Sequence, residues 1–189
     1  MEMNKKMHAR LQSINILTLL LLIWYPFFES KAHSEELPLL TLRGEKGGLA
    51  DGGEWLSSTL KDKVNLLLYV DPDKQSRVKA LVTKLDSIQY SPDLLGLTFI
   101  LNTEATIIPD FILANRVKKR AKEMKHINYV LDRDKVLVRE WNLVDNDVNI
   151  LLLDNKGIIV EKISGKISTE MAEEIIQKIN QLINKGETL

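Results

Sequence analysis

The chain has 189 residues, with 26 Lys+Arg against 26 Asp+Glu and an apolar fraction of 44%. That length fits one domain plus an appendage, and the balanced charge lacks the strongly basic face expected of a nucleic-acid binder. Cysteine is absent, which excludes disulfides, thiolate metal sites, cysteine nucleophiles and dithiol redox chemistry together.

Residues 1–32 read as a secretory signal. Lys5, Lys6 and Arg10 form a positive n-region, Ile14–Tyr25 an apolar h-region ended by Pro26, and Ser30-Lys31-Ala32 the small-residue site that places cleavage between Ala32 and His33. The apolar run Ile14–Phe28 is interrupted by Asn15, Thr18 and Pro26 and falls short of the ~20 residues that span a bilayer. Retention of this leader as an anchor is the alternative, and in either case the positive flank directs the remainder across the membrane. The expected location is the periplasm, with no stable membrane span once the leader is removed. The expected mature domain, 33–189, carries a net charge of −2, since the leader removes four basic groups and two acidic ones.

His33–Leu40 is a polar lead-in that turns apolar at Leu37. Between Gly44 and Gly53 lie Gly44, Gly47, Gly48, Gly52 and Gly53, a density that suits a turn-rich loop or hairpin. It is not a phosphate cradle, because neither GxxxxGK[ST] nor GxGxxG occurs and no apolar helix follows. Val64–Val70 is short and continuously apolar, as a buried strand should be. Asp71-Pro72-Asp73 breaks it, and Val78, Leu81, Val82 and Leu85 then mark one face of a helix over about 74–87. A second buried strand follows at Leu94–Asn102, then a helix from Phe111 to about Lys125 with Pro109 at or just before its first turn. This helix carries Arg116, Lys118, Lys119, Arg120, Lys122 and Lys125. They read as a solvated face, favoured by the macrodipole near the C-terminal end, rather than as a patch for anionic lipid or polyanion.

Ile127–Asp132 forms a third short strand and Val136–Leu143 a mixed segment compatible with a short helix. Val148–Asp154, Asn155-Lys156-Gly157 and Ile158–Ile163 give the clearest hairpin signal in the chain. Ser168 then caps a final helix whose apolar face is Met171, Ile175, Ile176, Ile179, Leu182 and Ile183. The order predicts an α/β domain: two parallel βα units, an antiparallel hairpin and a closing helix, with helices on both faces of a mixed sheet.

This order resembles the thioredoxin fold, with Leu37–Val70 as the N-terminal extension common in exported redoxins. Leu60–Val64 is similar to the redoxin lead-in Leu-x-Gly-Lys-Val, and Leu151–Val160 to the redoxin hairpin. The mature chain more closely resembles the YtfJ family of exported bacterial thioredoxin-like proteins, through Asp132-Arg133-Asp134 to Trp141-Asn142-Leu143 and through Asp147 to Gly157. That resemblance implies the fold and the periplasm and no particular activity. It also exposes two departures. The redoxin thiol window falls on Asp73-Lys74-Gln75-Ser76 and the cis-proline position on Val148, so thiol oxidoreductase, peroxiredoxin and disulfide isomerase chemistry are excluded.

No catalytic set and no cofactor motif is legible. Ser76 lacks a base, since the mature chain offers only His33 and His126. In a redoxin fold the loops after the first core strand and before the hairpin lie side by side, so Asp71, Asp73, Asp145 and Asp147 form a candidate acidic cluster for a divalent cation. Acidic turns and helix caps explain the same residues more simply. The expectation is a non-catalytic protein that binds an unidentified protein or small-molecule partner through the former redox face. A metal- or carboxylate-dependent enzyme at that face, or a membrane-anchored accessory protein, are the alternatives.

Overall fold

The computed structural model describes residues 35–106 and 108–186. The chain divides into two units, residues 1–33 and 34–189, and the expected leader with its cleavage site lies outside the described residues. The elements are β1 (Glu35–Glu36), β2 (Thr41–Leu42), β3 (Gly47–Leu49), β4 (Trp55–Leu56), β5 (Val64–Val70), α1 (Lys79–Ile88), β6 (Leu95–Asn102), α2 (Asp110–Glu123), β7 (Ile127–Asp132), α3 (Val136–Glu140), β8 (Val148–Leu153), β9 (Ile158–Ser164) and α4 (Thr169–Gly186).

Seven strands form one sheet in the order β1-β9-β8-β5-β6-β7-β3, and β2 pairs with β4 apart from it. β5, β6 and β7 run parallel, while β8 lies antiparallel on the other side of β5 and β9 antiparallel on β8. The thioredoxin-like order expected from the sequence is therefore the observed one. β5 sits between β6 and β8 and is buried at all seven positions, which explains why its sequence does not alternate.

Alternate residues of β5 feed different cores. Leu66, Leu68 and Val70 pack with Leu81 and Leu85 of α1 and with Ile175, Ile176 and Ile179 of α4. Leu67 and Tyr69 face Leu137 of α3, Trp141, and Leu42 and Trp55 of the N-terminal β2–β4 hairpin. Helices do cover both faces, but one face has only the short α3, and the N-terminal extension completes its core. Trp55 and Trp141 meet edge-on there, with ring centroids 6.0 Å apart. α2 packs separately, through Leu113 and Val117 on Leu101, Leu131 and Ala50.

Two expectations need correction. The helix after β5 does not begin at residue 74, because Pro72–Val78 winds as a 3-10 helix before α1 starts. Asp71 supplies no side-chain cap, and the first turns close instead through bonds such as Lys74 N–H to the Asp71 carbonyl at 2.9 Å. The polar lead-in also carries a strand where the sequence predicts none, since β1 pairs with β9, and it turns inward at the buried Leu37. The glycine-rich segment is indeed turn-rich, and it contributes an edge strand, β3, paired with β7. Gly47 has φ +123°, and a Cβ there would lie 1.9 Å from the Leu131 carbonyl oxygen. Only glycine fits. Ser168 caps α4 as expected, its Oγ accepting the Met171 N–H at 3.2 Å.

Candidate functional site

In open α/β sheets, ligands bind beyond the carboxyl ends of the parallel strands. Here each of the three parallel strands ends in a polar residue on one face of the sheet. Asp71 follows Val70, whose partner is Leu101; Asn102 pairs in register with Asp132. All three are buried, at 1% exposure for Asp71 and 0% for Asn102 and Asp132. Burial of this kind requires hydrogen bonds.

Asp132 has the fullest set. Its carboxylate accepts from Val136 N–H and Leu137 N–H at 2.9 Å, from Tyr69 Oη at 3.2 Å and from Asp134 N–H at 3.3 Å. Two of these donors open α3, so Asp132 anchors that helix to the sheet. Burial, reinforced by the Asp132 charge and by this hydrogen bond, pushes the Tyr69 hydroxyl pKa far up. Asp71 Oδ1 accepts from Asn102 Nδ2 at 2.8 Å, and Asn102 Oδ1 has no partner among the described residues. Burial raises the Asp71 pKa, the Asn102 bond opposes that, and the charge of Asp145 adds to it.

The four candidate aspartates do not form a cage. Asp71 and Asp145 are near enough to influence one another electrostatically, but each carboxylate has its own partner. Asp73 pairs with Lys74, Asp145 Oδ2 with Lys135 Nζ at 2.9 Å, and Asp147 Oδ1 with Arg77 Nη1 at 2.7 Å. Asp147 also accepts the Val148 N–H at 2.7 Å, so the residue standing at the cis-proline position is tied to its own neighbour. The bonds from Lys74 and Lys135 hold the Asp73 and Asp145 carboxyls below their usual range. Among the described residues no group of three or more His, Cys, Asp or Glu is placed to hold a metal ion.

The thiol window Asp73–Ser76 lies in the 3-10 helix that leaves β5, with Gln75 and Ser76 exposed. His126 precedes β7 and so lies at the opposite, amino edge of the parallel strands. Six residues of β7 at ~3.3 Å each separate those edges, and among the described residues, whose one histidine is His126, Ser76 therefore has no histidine within reach. The sequence reading missed Asn102 and Asp132 as site residues. The signal was a repeated one: an apolar strand ending in a single polar residue, at Val70-Asp71, Leu101-Asn102 and Leu131-Asp132.

Fold and site together define a thioredoxin-like protein without the redox thiols. The chain is similar to solved structures of that class across most of its length. BsSco, a member of the Sco family of cytochrome c oxidase assembly proteins, is 12% identical with a TM-score of 0.55, over 80% of this chain and 95% of that one. The exposed lipoprotein thioredoxin Etrx1 of Streptococcus pneumoniae strain TIGR4 is 14% identical with a TM-score of 0.56, over 77% of this chain and 100% of that one. A hypothetical protein from Sinorhizobium meliloti 1021 is 12% identical with a TM-score of 0.60, covering 80% and 84%. Such identities carry the fold alone. A family model fixes the membership: residues 46–182 match YtfJ_HI0045, described as a bacterial protein of unknown function, and the chain belongs to that family. No curated protein matches the chain. Among the described residues no helix is long and apolar enough to cross a membrane.

Proposed function

We propose that this protein is an exported, non-catalytic thioredoxin-like protein that acts in the periplasm after cleavage at Ala32 and binds a partner at the former redox face. The observation that carries this reading is the state of the carboxyl edge. The thiol window contains no sulfur, and the polar groups around it are engaged with each other: Asp71 with Asn102, Arg77 with Asp147, Lys135 with Asp145. Acid–base or nucleophilic chemistry needs a group free to act on substrate and a base in reach of it; the exposed Ser76 hydroxyl has no histidine beside it among the described residues, which supports a binding role. Polar pairs on three adjoining loops do suit recognition of a shaped, polar surface. The three-part leader supports export.

The test places a photo-crosslinking amino acid at Asp73 or Asn146, both exposed, in cells whose periplasmic and membrane fractions are then separated. The expected result is a chain of the mass that begins at His33, in the periplasmic fraction, with one defined cross-linked species. A chain that keeps its leader in the membrane fraction contradicts the periplasmic reading. Heat and a rise in melting temperature on titration with calcium or magnesium would favour a metal-dependent role instead.

A further inference from the structure

A second feature lies on the α1–α2 face of the sheet, reaching Pro72, Gln75 and Ser76 of the 3-10 helix at one end. α1 leans toward α4: they share a core through Leu81, Leu85, Ile175 and Ile176, and Lys84 Nζ pairs with Glu173 at 2.9 Å. α2 sits on the other side, on Leu101 and Leu131. The strip of β6 between the two helices is left uncovered. It opens into a cavity of about 1290 Å³, floored by Leu97, Phe99 and Tyr129 and walled by Val82 of α1 and Val117 of α2. Phe99 and Tyr129 are in ring contact, with centroids 5.9 Å apart. Leu97 and Phe99 are only half-buried, whereas Leu66 and Leu152 on the same face, under α1 and α4, have no exposure at all. An apolar floor left open in this way is unusual for a finished core.

The rim carries an excess of cations. Arg116, Lys119 and Arg120 of α2 and Lys79 of α1 line the cavity, against Asp86 and Glu123. Those four cations are exposed, and none takes part in the ion pairs formed among the described residues, in which eight other lysines and arginines are engaged. The macrodipole accounts for Arg120 and Lys122 in the last turn of α2. It does not account for Arg116 and Lys119, which stand further from the C-terminus beside the apolar floor. The wall from Leu113 to Glu123 is ~15 Å long at the α-helical rise. The volume lies just above the ~300–1,000 Å³ of small-molecule sites and is of that order rather than the scale of a protein interface.

We propose that this groove binds a free, single-chain amphipathic anion of the long-chain carboxylate type, its tail along β6 and its head against Arg116 and Arg120. Each part of the ligand follows from a part of the site. The open floor of Leu97, Phe99 and Tyr129 takes a chain with no polar atoms, and the unpaired guanidinium groups take a carboxylate, which they match bidentately. This goes beyond the binding role assigned to the carboxyl edge, which the groove adjoins at Gln75 and Ser76 of the thiol window, and its ligand is argued from the floor and the α2 cations alone. Asp73 and Asn146, where that role is tested, do not line the groove.

The probe is dodecanoate, titrated calorimetrically into the protein purified from cells, with dodecyltrimethylammonium as the charge-inverted probe carrying the same tail. Saturable one-to-one binding of dodecanoate is expected, with the cationic probe weaker by about tenfold or more. The exposed double variant Arg116→Glu/Arg120→Glu should weaken dodecanoate by a similar factor at an unchanged melting temperature. Val82→Trp, which fills the groove, should abolish binding while the chain still melts cooperatively. Equal affinity for the two probes overturns the proposal, as does dodecanoate binding that survives both variants, which would place it on residues 1–32 or elsewhere. Association with phosphatidylglycerol vesicles without saturable dodecanoate binding also overturns it, in favour of a membrane surface.

Discussion

Replacing Asp132 tests whether the buried carboxylate row holds the carboxyl edge together. Asp132→Ala leaves Val136 N–H, Leu137 N–H and the Tyr69 hydroxyl without their acceptor. Tyr69 is 1% exposed, and Val136 and Leu137 are buried at the start of α3, so water reaches these donors poorly. A buried donor left unpaired costs about 1–3 kcal/mol. Allowing α3 to relax, the expected loss is about 4 kcal/mol, a large share of the ~5–15 kcal/mol that stabilises a domain. Asp132→Asn keeps one acceptor but turns an amino group toward an amide, and about 2 kcal/mol is expected. Tyr69→Phe removes only the 3.2 Å bond, with about 1 kcal/mol expected. Urea unfolding followed by fluorescence of Trp55 and Trp141, both buried beside α3, gives the three midpoints, and a constant m-value confirms that they are comparable. In the double variant Tyr69→Phe/Asp132→Ala the losses should fall short of additivity by about 1 kcal/mol. A loss below about 1 kcal/mol for Asp132→Ala, or strict additivity, refutes the reasoning.

Three further outcomes follow from single features of the fold. Gly47→Ala drives a Cβ to 1.9 Å from the Leu131 carbonyl and should destabilise by more than ~3 kcal/mol, while Gly52→Ala, with open space around it at φ +104°, should cost only about 1 kcal/mol; thermal melts of the pair check this. Trp141 Nε1 donates to the Pro38 carbonyl at 2.9 Å, but Trp55 Nε1 has no partner among the described residues. Trp141→Phe should therefore cost about 1 kcal/mol more than Trp55→Phe by chemical denaturation. The raised Asp71 pKa, caused first by burial, has a definite sign: as pH rises through the unfolded value of 3.8, the unfolded chain releases its proton first and stability is lost until the folded value is passed. Asp71→Asn keeps an acceptor for Asn102 and removes that loss. It should melt above the parent at neutral pH, with the advantage disappearing below pH 3.8, as melting curves across pH would show.

Much of the fold was legible because the core strands are unambiguous. Val64–Val70 and Val148–Leu153 are buried at every position and read as such from apolar runs alone. The start of α1 was not, because the sequence after β5 offers Asp71, Pro72 and Asp73 as if to cap a helix, and the Asp71 carboxylate goes instead to Asn102 across the sheet. That choice depends on a residue 31 positions away, which no local window contains. β1 and β3 escaped for a related reason: two- and three-residue edge strands are specified by their partners β9 and β7, not by their own pattern. The acidic cluster was half-legible. Neighbouring loops did bring Asp71 and Asp145 into electrostatic reach, but the cations that claim Asp145 and Asp147 are Lys135, just before α3, and Arg77 in the 3-10 helix.

Those pairings divide the charge of the domain in a way that bears on function. At the carboxyl edge Asp73, Asp145 and Asp147 each have a cation of their own, and Asp71 is bonded to Asn102. Lys135 and Asn146 even adopt left-handed backbone, at φ 47° and 57°, on either side of the Lys135–Asp145 pair. Such non-glycine conformations cost of order 1 kcal/mol or more each, while an exposed ion pair returns about 0–1 kcal/mol. The pair does not by itself explain the backbone that surrounds it, so the shape of this edge is maintained by the larger anchor below it, Asp132 with its two α3 amides and Tyr69. On the α1–α2 face the order is reversed: the groove has apolar side chains without a cover and cations without partners. A saturated, rigidly held edge can present a fixed surface to a partner but has little left to bond a small ligand. The unsaturated groove has the unmet apolar and cationic surface that a small amphipathic ligand would complete.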